Sequence, residues 1–248
     1  MVILKTTNEL QKMRKAGKIT AQALELGGAA VKPGITTGEL DRIMRQFILS
    51  KGAKPSFLGF GGFPKSACIS VNDEVIHGIP GKRVLREGDI VSIDIGAYID
   101  GYHGDSAATF AVGTISDEAA RLMAATRESL MEAIAVAQPG KRLGDIGAAV
   151  QNYVTERGFS VVREYVGHGV GHDMHEEPEV PNYGKAGHGV RLIPGMVIAI
   201  EPMINAGTAA IYVKKDKWTV ATRDGKPSAH FEHTVAITSD GPVILTKS

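Results

Sequence analysis

The chain has little of what marks disulfide-stabilised, membrane or nucleic-acid-binding proteins. Cys68 is its single cysteine, which excludes an internal disulfide framework and fits a reducing compartment. A net charge of +1 argues against a general binder of nucleic acid or membrane surfaces. Apolar runs such as Met196–Ile200 are far too short to span a bilayer, and the N-terminus lacks a signal-peptide pattern. We therefore expect a soluble, cytoplasmic protein.

The sequence predicts an α/β (α+β) fold with four helices and many short strands. The 43% hydrophobic and 22% charged content is ordinary for a globular chain. Capping signals, apolar periodicity and glycine stops predict helices over about 7–28, 39–51, 116–137 and 145–157. Residues 67–71 form a predicted strand, and short strands alternate with glycine-rich loops from residue 159 onward.

A hairpin with two acidic residues is the first indication of a metal site. Asp100-Gly101 separates two flanks rich in β-formers and predicts a two-residue turn. With this turn Gly96 faces Asp105, and the two-residue alternation of strands puts Asp94 on the same face. Asp94 and Asp105 become diagonal neighbours about 7–8 Å apart at the backbone. Two such carboxylates repel unless a proton or a cation lies between them.

Two segments recur in the same order at nearly the same spacing. The segment that begins at Pro33 matches one that begins 106 residues later at Pro139. The segment that ends at Asp94 matches one that ends 107 residues later at Glu201. Proline-glycine turns before helices are common enough to explain the first match, but not the second. We predict one domain over 1–248, built from related halves of about 1–115 and 116–248, with Asp94 and Glu201 in equivalent positions.

Two further acids lie in apolar surroundings. Glu201 follows the apolar run 197–200, and Glu232 lies within a strand predicted for 231–237. A carboxylate in such a strand is rarely left unpaired. Taken singly, each favours a salt bridge. Taken with Asp94 and Asp105, they favour a cation cluster.

The histidines divide by their local sequence. His168 and His172 have the spacing of a helical zinc motif, but the glycines at 167, 169 and 171 make a helix improbable and no glutamate adjoins His168. His168 and His175 are stronger functional candidates than His172, and His77 is a weaker one. The histidines assigned structural or surface positions are His103, His188, His230 and His233.

Five segments together resemble the type I methionine aminopeptidase family in its bacterial form. In chain order they are Asp94 to Asp105 with its Asp-Gly-Tyr-His-Gly-Asp ending, Gly-His-Gly-Val-Gly at 167–171, His-Glu-Glu-Pro at 175–178, Ile-Glu-Pro-Met at 200–203 and Phe-Glu-His-Thr at 231–234. The resemblance covers essentially the whole chain. It implies the pita-bread fold, in which two pseudo-symmetric halves close a curved, mainly antiparallel sheet covered by helices.

The resemblance also implies a complete site. The metal ligands are Asp94, Asp105, His168, Glu201 and Glu232, holding two divalent ions for which Mn²⁺, Fe²⁺, Co²⁺ and Zn²⁺ are all candidates. His77 and His175 contact the substrate, and Glu201 moves a proton. The methionine pocket is formed by Phe57, Phe60, Phe63, Cys68, Met174 and Trp218. Taken without the resemblance, Cys68 is strongly favoured as a core residue, whereas three phenylalanines on a glycine-rich loop are not.

The implied activity is removal of the N-terminal methionine from nascent polypeptides whose second residue is small. A hydroxide activated by two metal ions attacks the first peptide bond. The family expectation is a monomer, with a ribosome contact left open and no specific nucleic-acid partner. Phenylalanine at 60 and 63, where relatives often have tyrosine, and methionine at 174, where they often have phenylalanine, leave the pocket apolar.

Two alternatives share the fold. An X-Pro-directed aminopeptidase or prolidase uses a similar ligand set, but those relatives generally carry an additional N-terminal domain, whereas the first helix here is predicted from about residue 7. A non-catalytic binding paralogue has lost its metal ligands, whereas all five ligand positions are filled here.

Overall fold

Four helices form within two residues of the predicted bounds, over the residues 2–248 that this computed structural model describes. They are α1 (Thr7–Ala30), α2 (Thr37–Ser50), α3 (Asp117–Val136) and α4 (Leu143–Thr155). None of these helices combines the length and the apolar character needed to cross a membrane.

Capping boxes set the starts of α1 and α2. The Thr6 hydroxyl accepts the Glu9 N–H, and the Glu9 carboxylate accepts the Thr6 N–H at 2.7 Å, as predicted. Thr36 and Glu39 form the same reciprocal pair. Helix α2 therefore begins two residues before the predicted start at Glu39, because Glu39 is the third residue of the helix and closes a capping box on Thr36.

The strands are short and pair antiparallel. They are β1 (Lys54–Pro55), β2 (Ala67–Val71), β3 (Glu74–Ile76), β4 (Ile90–Ile99), β5 (Tyr102–Ala111), β6 (Ser160–Val161), β7 (Gly167–Gly169), β8 (Glu176–Val180), β9 (Val197–Ile200), β10 (Met203–Asn205), β11 (Ile211–Val213), β12 (Val220–Thr222), β13 (Ser228–His230), β14 (His233–Thr238) and β15 (Gly241–Ile244). One sheet has the order β1-β4-β2 with β5 also on β4, and another has the order β15-β14-β9-β7-β8. Two three-stranded sheets, β13-β10-β6 and β11-β12-β3, complete the fold.

The β4–β5 hairpin has the predicted register. Asp100 and Gly101 have φ angles of 53° and 87°, the left-handed values that a two-residue turn of this kind requires. Gly96 pairs with Asp105, and Asp94 lies two residues further along the same strand. The two carboxylates therefore share one face of the sheet.

The strand predicted over 231–237 begins only at His233. Ile200 is the partner of His233 in the β9–β14 ladder. The preceding residue, Glu232, donates its N–H to the Ala107 carbonyl of β5 at 2.9 Å instead of continuing that ladder. Glu232 therefore lies at the junction of two sheets.

The apolar core falls into two main clusters, one in each predicted half. The first joins α1 and α2 to β2 and β4, and the second joins α3 and α4 to β9 and β14. In α2, Leu40, Met44 and Ile48 follow one helix face and are each 0% exposed. Burial of each such side chain stabilises the fold by about 1.5–3 kcal/mol.

Equivalent backbone contacts recur in the two halves. The Gly34 N–H donates to the Leu85 carbonyl at 2.8 Å, and the Gly140 N–H donates to the Leu192 carbonyl at 2.8 Å. Each contact ties the turn before a helix, α2 or α4, to the segment before a central strand, β4 or β9. This repetition supports our proposal that the domain consists of two related halves.

Candidate metal centre and pocket

A cavity of about 190 Å³ is lined by every residue to which the sequence assigned a site role. These residues are Phe57, Phe60, Phe63, Cys68, His77, Asp94, Asp105, His168, Met174, His175, Glu201, Trp218 and Glu232. Three further lining residues, Ile76, Tyr165 and Val166, were not identified from the sequence. Ile76 and Tyr165 lie next to candidate segments, but apolar and aromatic side chains alone carry no signal of a site.

Asp94 and Asp105 bring two buried carboxylates from the β4–β5 hairpin to one end of the cavity. The Oδ1 atom of each is buried and has no hydrogen-bond partner. Burial raises the pKa of Asp94 to about 7. Burial, followed by the charge of Asp94, raises the pKa of Asp105 well above its ordinary value.

Glu201 and Glu232 add two carboxylates from the second half. Glu201 follows β9 and Glu232 precedes β14, so the pairing of these strands places the two acids side by side. Burial is the main cause that raises both pKa values, followed for Glu201 by the charge of Asp94 and for Glu232 by that of Asp105. Four carboxylates this close require protons or cations between them.

Hydroxyl groups join the acids of the two halves. The Thr234 hydroxyl donates to the Asp105 carbonyl at 2.7 Å and accepts the Asp105 N–H at 3.0 Å. The Ser106 hydroxyl donates to the Glu232 carbonyl at 2.8 Å. These bonds fix the backbone of Asp105 and Glu232, which lie far apart in sequence.

His168 presents a lone pair to these acids. Its Nδ1 lies 2.9 Å from the Gly169 carbonyl, so we assign the ring proton to Nδ1 and the lone pair to Nε2. That Nε2 lies 3.6 Å from Asp105 Oδ2 and 3.5 Å from Glu201 Oε1. Burial lowers the pKa of His168 to about 3, so the ring is neutral at pH 7 and these contacts are not ion pairs.

The donor atoms suit a divalent cation. Asp105, His168 and Glu232 each offer one ligand atom, and these atoms all lie within 4.8 Å of one another. Cys68 pairs with Asp94 across β2 and β4, but burial raises the pKa of its thiol, which stays protonated. An oxygen-rich set with one imidazole and no thiolate fits manganese, iron, cobalt or zinc. Unpaired oxygens of Asp94, Asp105 and Glu232 would supply further donors to such an ion.

The rest of the cavity wall is apolar. Phe57, Phe63, Cys68 and Met174 form a buried cluster that Trp218 partly covers. Phe60 is 44% exposed, and its ring meets that of His175 edge-on at 5.1 Å, which places it at the rim of the cavity. The loop that carries the phenylalanines turns through glycines with left-handed φ angles, 85° at position 59 and 55° at position 61.

The two predicted substrate-contacting histidines flank the metal centre. His77 has a φ angle of 59°, an unusual left-handed conformation of the kind that clusters at functional sites. Burial, followed by repulsion from His175, lowers the pKa of His77 to about 4. The His175 ring lies 4.2 Å from that of His168, and burial lowers its pKa too. His172 lies outside the cavity and contacts the Gly101 carbonyl at 2.8 Å.

Comparison with known proteins places the chain in a family. The profile of metallopeptidase family M24 matches residues 11–239. The chain belongs to metallopeptidase family M24. Over 247 residues it is 56% identical to methionine aminopeptidase 1 of Bacillus subtilis, and the match covers 100% of each chain. The crystal structure of methionine aminopeptidase from Thermotoga maritima superposes with a TM-score of 0.99 at 46% identity and covers 100% of both chains.

These similarities confirm the predicted family and the pita-bread fold class. The prolidase of Pyrococcus horikoshii has a TM-score of 0.79 at 24% identity, and the match covers 64% of that protein. At that identity it shares the fold with this M24 chain, and nothing finer follows from it.

Proposed function

We propose that this M24 chain is a methionine aminopeptidase that removes the N-terminal methionine from polypeptides whose second residue is small. The observation that carries this proposal is the cluster of buried acids and His168 at the end of an apolar cavity. The methionine aminopeptidases that match its full length support the same activity.

The five predicted ligands would hold two divalent ions: Asp94, Asp105, His168, Glu201 and Glu232. Ions bound there supply a nucleophile at neutral pH and polarise the carbonyl of the first peptide bond. The donor set alone does not select among Mn²⁺, Fe²⁺, Co²⁺ and Zn²⁺.

The side chains of the chain position the substrate and move its protons. The wall around Phe57 and Met174 accepts the methionine side chain and excludes water, which directs the first peptide bond toward the acids. Neutral His175 donates an N–H to the carbonyl oxygen as charge develops there, and His77 holds the peptide. Glu201 carries a proton to the leaving amine, a role that suits a carboxylate of raised pKa.

The substrate also bears on where the enzyme works. N-terminal methionine is a feature of newly made polypeptides, so we propose that the enzyme acts in the cytoplasm. A reduced, buried Cys68 agrees with that compartment. A monomeric state and a ribosome contact stay predictions from the family resemblance.

Peptide cleavage tests the proposal. Metal-stripped protein is incubated with Met-Ala-Ser, Met-Leu-Ser and an X-Pro peptide, with and without added Mn²⁺ or Co²⁺, and release of the N-terminal residue of each peptide is measured. We expect metal-dependent release from Met-Ala-Ser alone. Cleavage of the X-Pro peptide only would support the prolidase alternative, and no cleavage with any metal would support a binding paralogue.

A further inference from the structure

His230, at the end of β13, is buried beside the metal centre and has no role in the proposed reaction. It is 1% exposed, and its Nε2 atom is buried without a hydrogen-bond partner. The same Nε2 lies 3.7 Å from Glu201 Oε2. Leaving a buried nitrogen unpaired costs about 1–3 kcal/mol, so its orientation toward one carboxylate requires an explanation.

The backbone of His230 is held firmly on both sides. Its N–H donates to the Thr109 hydroxyl at 2.9 Å, and that hydroxyl donates to the His230 carbonyl at 2.9 Å. On the opposite strand, Met203 pairs with His230. The ring therefore extends from a rigid frame toward Glu201.

Glu201 lies between two imidazoles, one facing each of its carboxylate oxygens. His168 Nε2 is 3.5 Å from Oε1 and carries a lone pair, because its Nδ1–H is used by the Gly169 carbonyl. His230 Nε2 faces the other oxygen, Oε2.

We propose that His230 donates its Nε2–H to Glu201 Oε2 and thereby orients Oε1 toward the metal. The inference rests on the proposed function and adds a positioning residue to it. The 3.7 Å separation closes to a hydrogen bond by a small rotation of the carboxylate, and such contacts commonly tighten in the working site. Asn182 holds the same residue from the other side by donating to the Glu201 carbonyl at 3.0 Å.

Three variants separate this role from a structural one. His230→Leu removes the N–H, whereas His230→Gln keeps an amide N–H at a similar reach. His233→Leu is the matched control: His233 is a partly buried histidine on the next strand along the chain, and its Nδ1 lies 2.9 Å from the Thr246 hydroxyl. We expect H230L to bind Mn²⁺ about 10–100-fold more weakly by titration calorimetry, H230Q to stay close to wild type, and H233L to change stability without changing Mn²⁺ affinity.

The proton position gives a second readout that is independent of activity. In Zn²⁺-loaded wild-type protein, long-range ¹H–¹⁵N correlation of the imidazoles should place the proton on Nε2 of His230 and on Nδ1 of His168. A proton on Nδ1 of His230, or wild-type Mn²⁺ affinity in a folded H230L, overturns the inference. If H230L does not fold, the tautomer of His230 measured in the wild-type protein decides whether the inference stands.

The two proposals fail differently. Methionine release by wild type together with unchanged Mn²⁺ affinity in H230L rejects only the role of His230. Absence of methionine release by wild type, with Mn²⁺ binding that still depends on residue 230, rejects the aminopeptidase function and leaves the positioning role intact.

Discussion

Thr234→Val removes one hydroxyl that holds the metal centre together across the two halves. Thr234 is 0% exposed, and its hydroxyl both donates to the Asp105 carbonyl and accepts the Asp105 N–H. Valine has nearly the same shape but no hydroxyl, so both backbone groups lose this partner. Each buried group left unpaired costs about 1–3 kcal/mol, so for two groups we expect a loss of about 2–6 kcal/mol in the free energy of unfolding.

The assay combines urea unfolding of the metal-free protein with Mn²⁺ titration. Because the hydroxyl orients a predicted ligand, we also expect T234V to weaken Mn²⁺ binding by about 10–100-fold. Thr234→Ser restores the hydroxyl and should recover most of both losses. Thr238→Val, further along β14, removes a bond to the Gly241 carbonyl away from the acids and should leave Mn²⁺ affinity unchanged. Wild-type stability and affinity in T234V would refute the reasoning.

Three further predictions concern charge. Burial raises the pKa of Asp94 to about 7, so this predicted ligand is mostly protonated at about pH 6. Mn²⁺ affinity should therefore rise from about pH 6 to 8, and binding at pH 6 should release a proton that calorimetry in buffers of different ionisation enthalpy detects. An affinity that does not change with pH would contradict this. Lys5→Met leaves the buried Glu176 carboxylate without its ion partner, which lies 2.6 Å away. The free energy of unfolding measured in urea should fall by about 3–5 kcal/mol. A fall below about 1 kcal/mol would contradict the importance of this ion pair. Glu201→Gln keeps the size but removes the proton carrier, so kcat for Met-Ala-Ser should fall by about 10²–10⁴-fold; an unchanged kcat would exclude that role.

The hairpin register was predictable because a local signal fixes it. Asp100-Gly101 determines the turn, and strand periodicity then determines that Gly96 faces Asp105 and that Asp94 shares its face. The helices were predictable for the same reason, since apolar periodicity and caps are local. Helix starts were less accurate, as the missed cap at Thr36 shows.

The contacts that join the two halves were not predictable from local pattern. Thr234 reaches Asp105 across 129 residues of sequence, and a threonine in a strand gives no sign of such a partner. His230 was assigned a structural or surface position because nothing in its neighbours places it beside Glu201. Tyr165 likewise reaches the cavity only by packing against a cluster that contains Val75 and Ile76 of β3, which lie far away in the sequence. The assignment of the five metal ligands came from the family resemblance, and their roles stay predictions.

Counting ions is the most direct test of the central claim that the buried acids and His168 bind two divalent ions. Metal-stripped wild type and Asp105→Asn are titrated with Mn²⁺, and methionine release from Met-Ala-Ser is followed at each addition. The account predicts that each wild-type chain binds two Mn²⁺ ions and that methionine release rises as they bind. In D105N it predicts that both Mn²⁺ binding and methionine release are lost. Full release in the presence of a strong chelator, or unchanged Mn²⁺ binding and release in D105N, would contradict it.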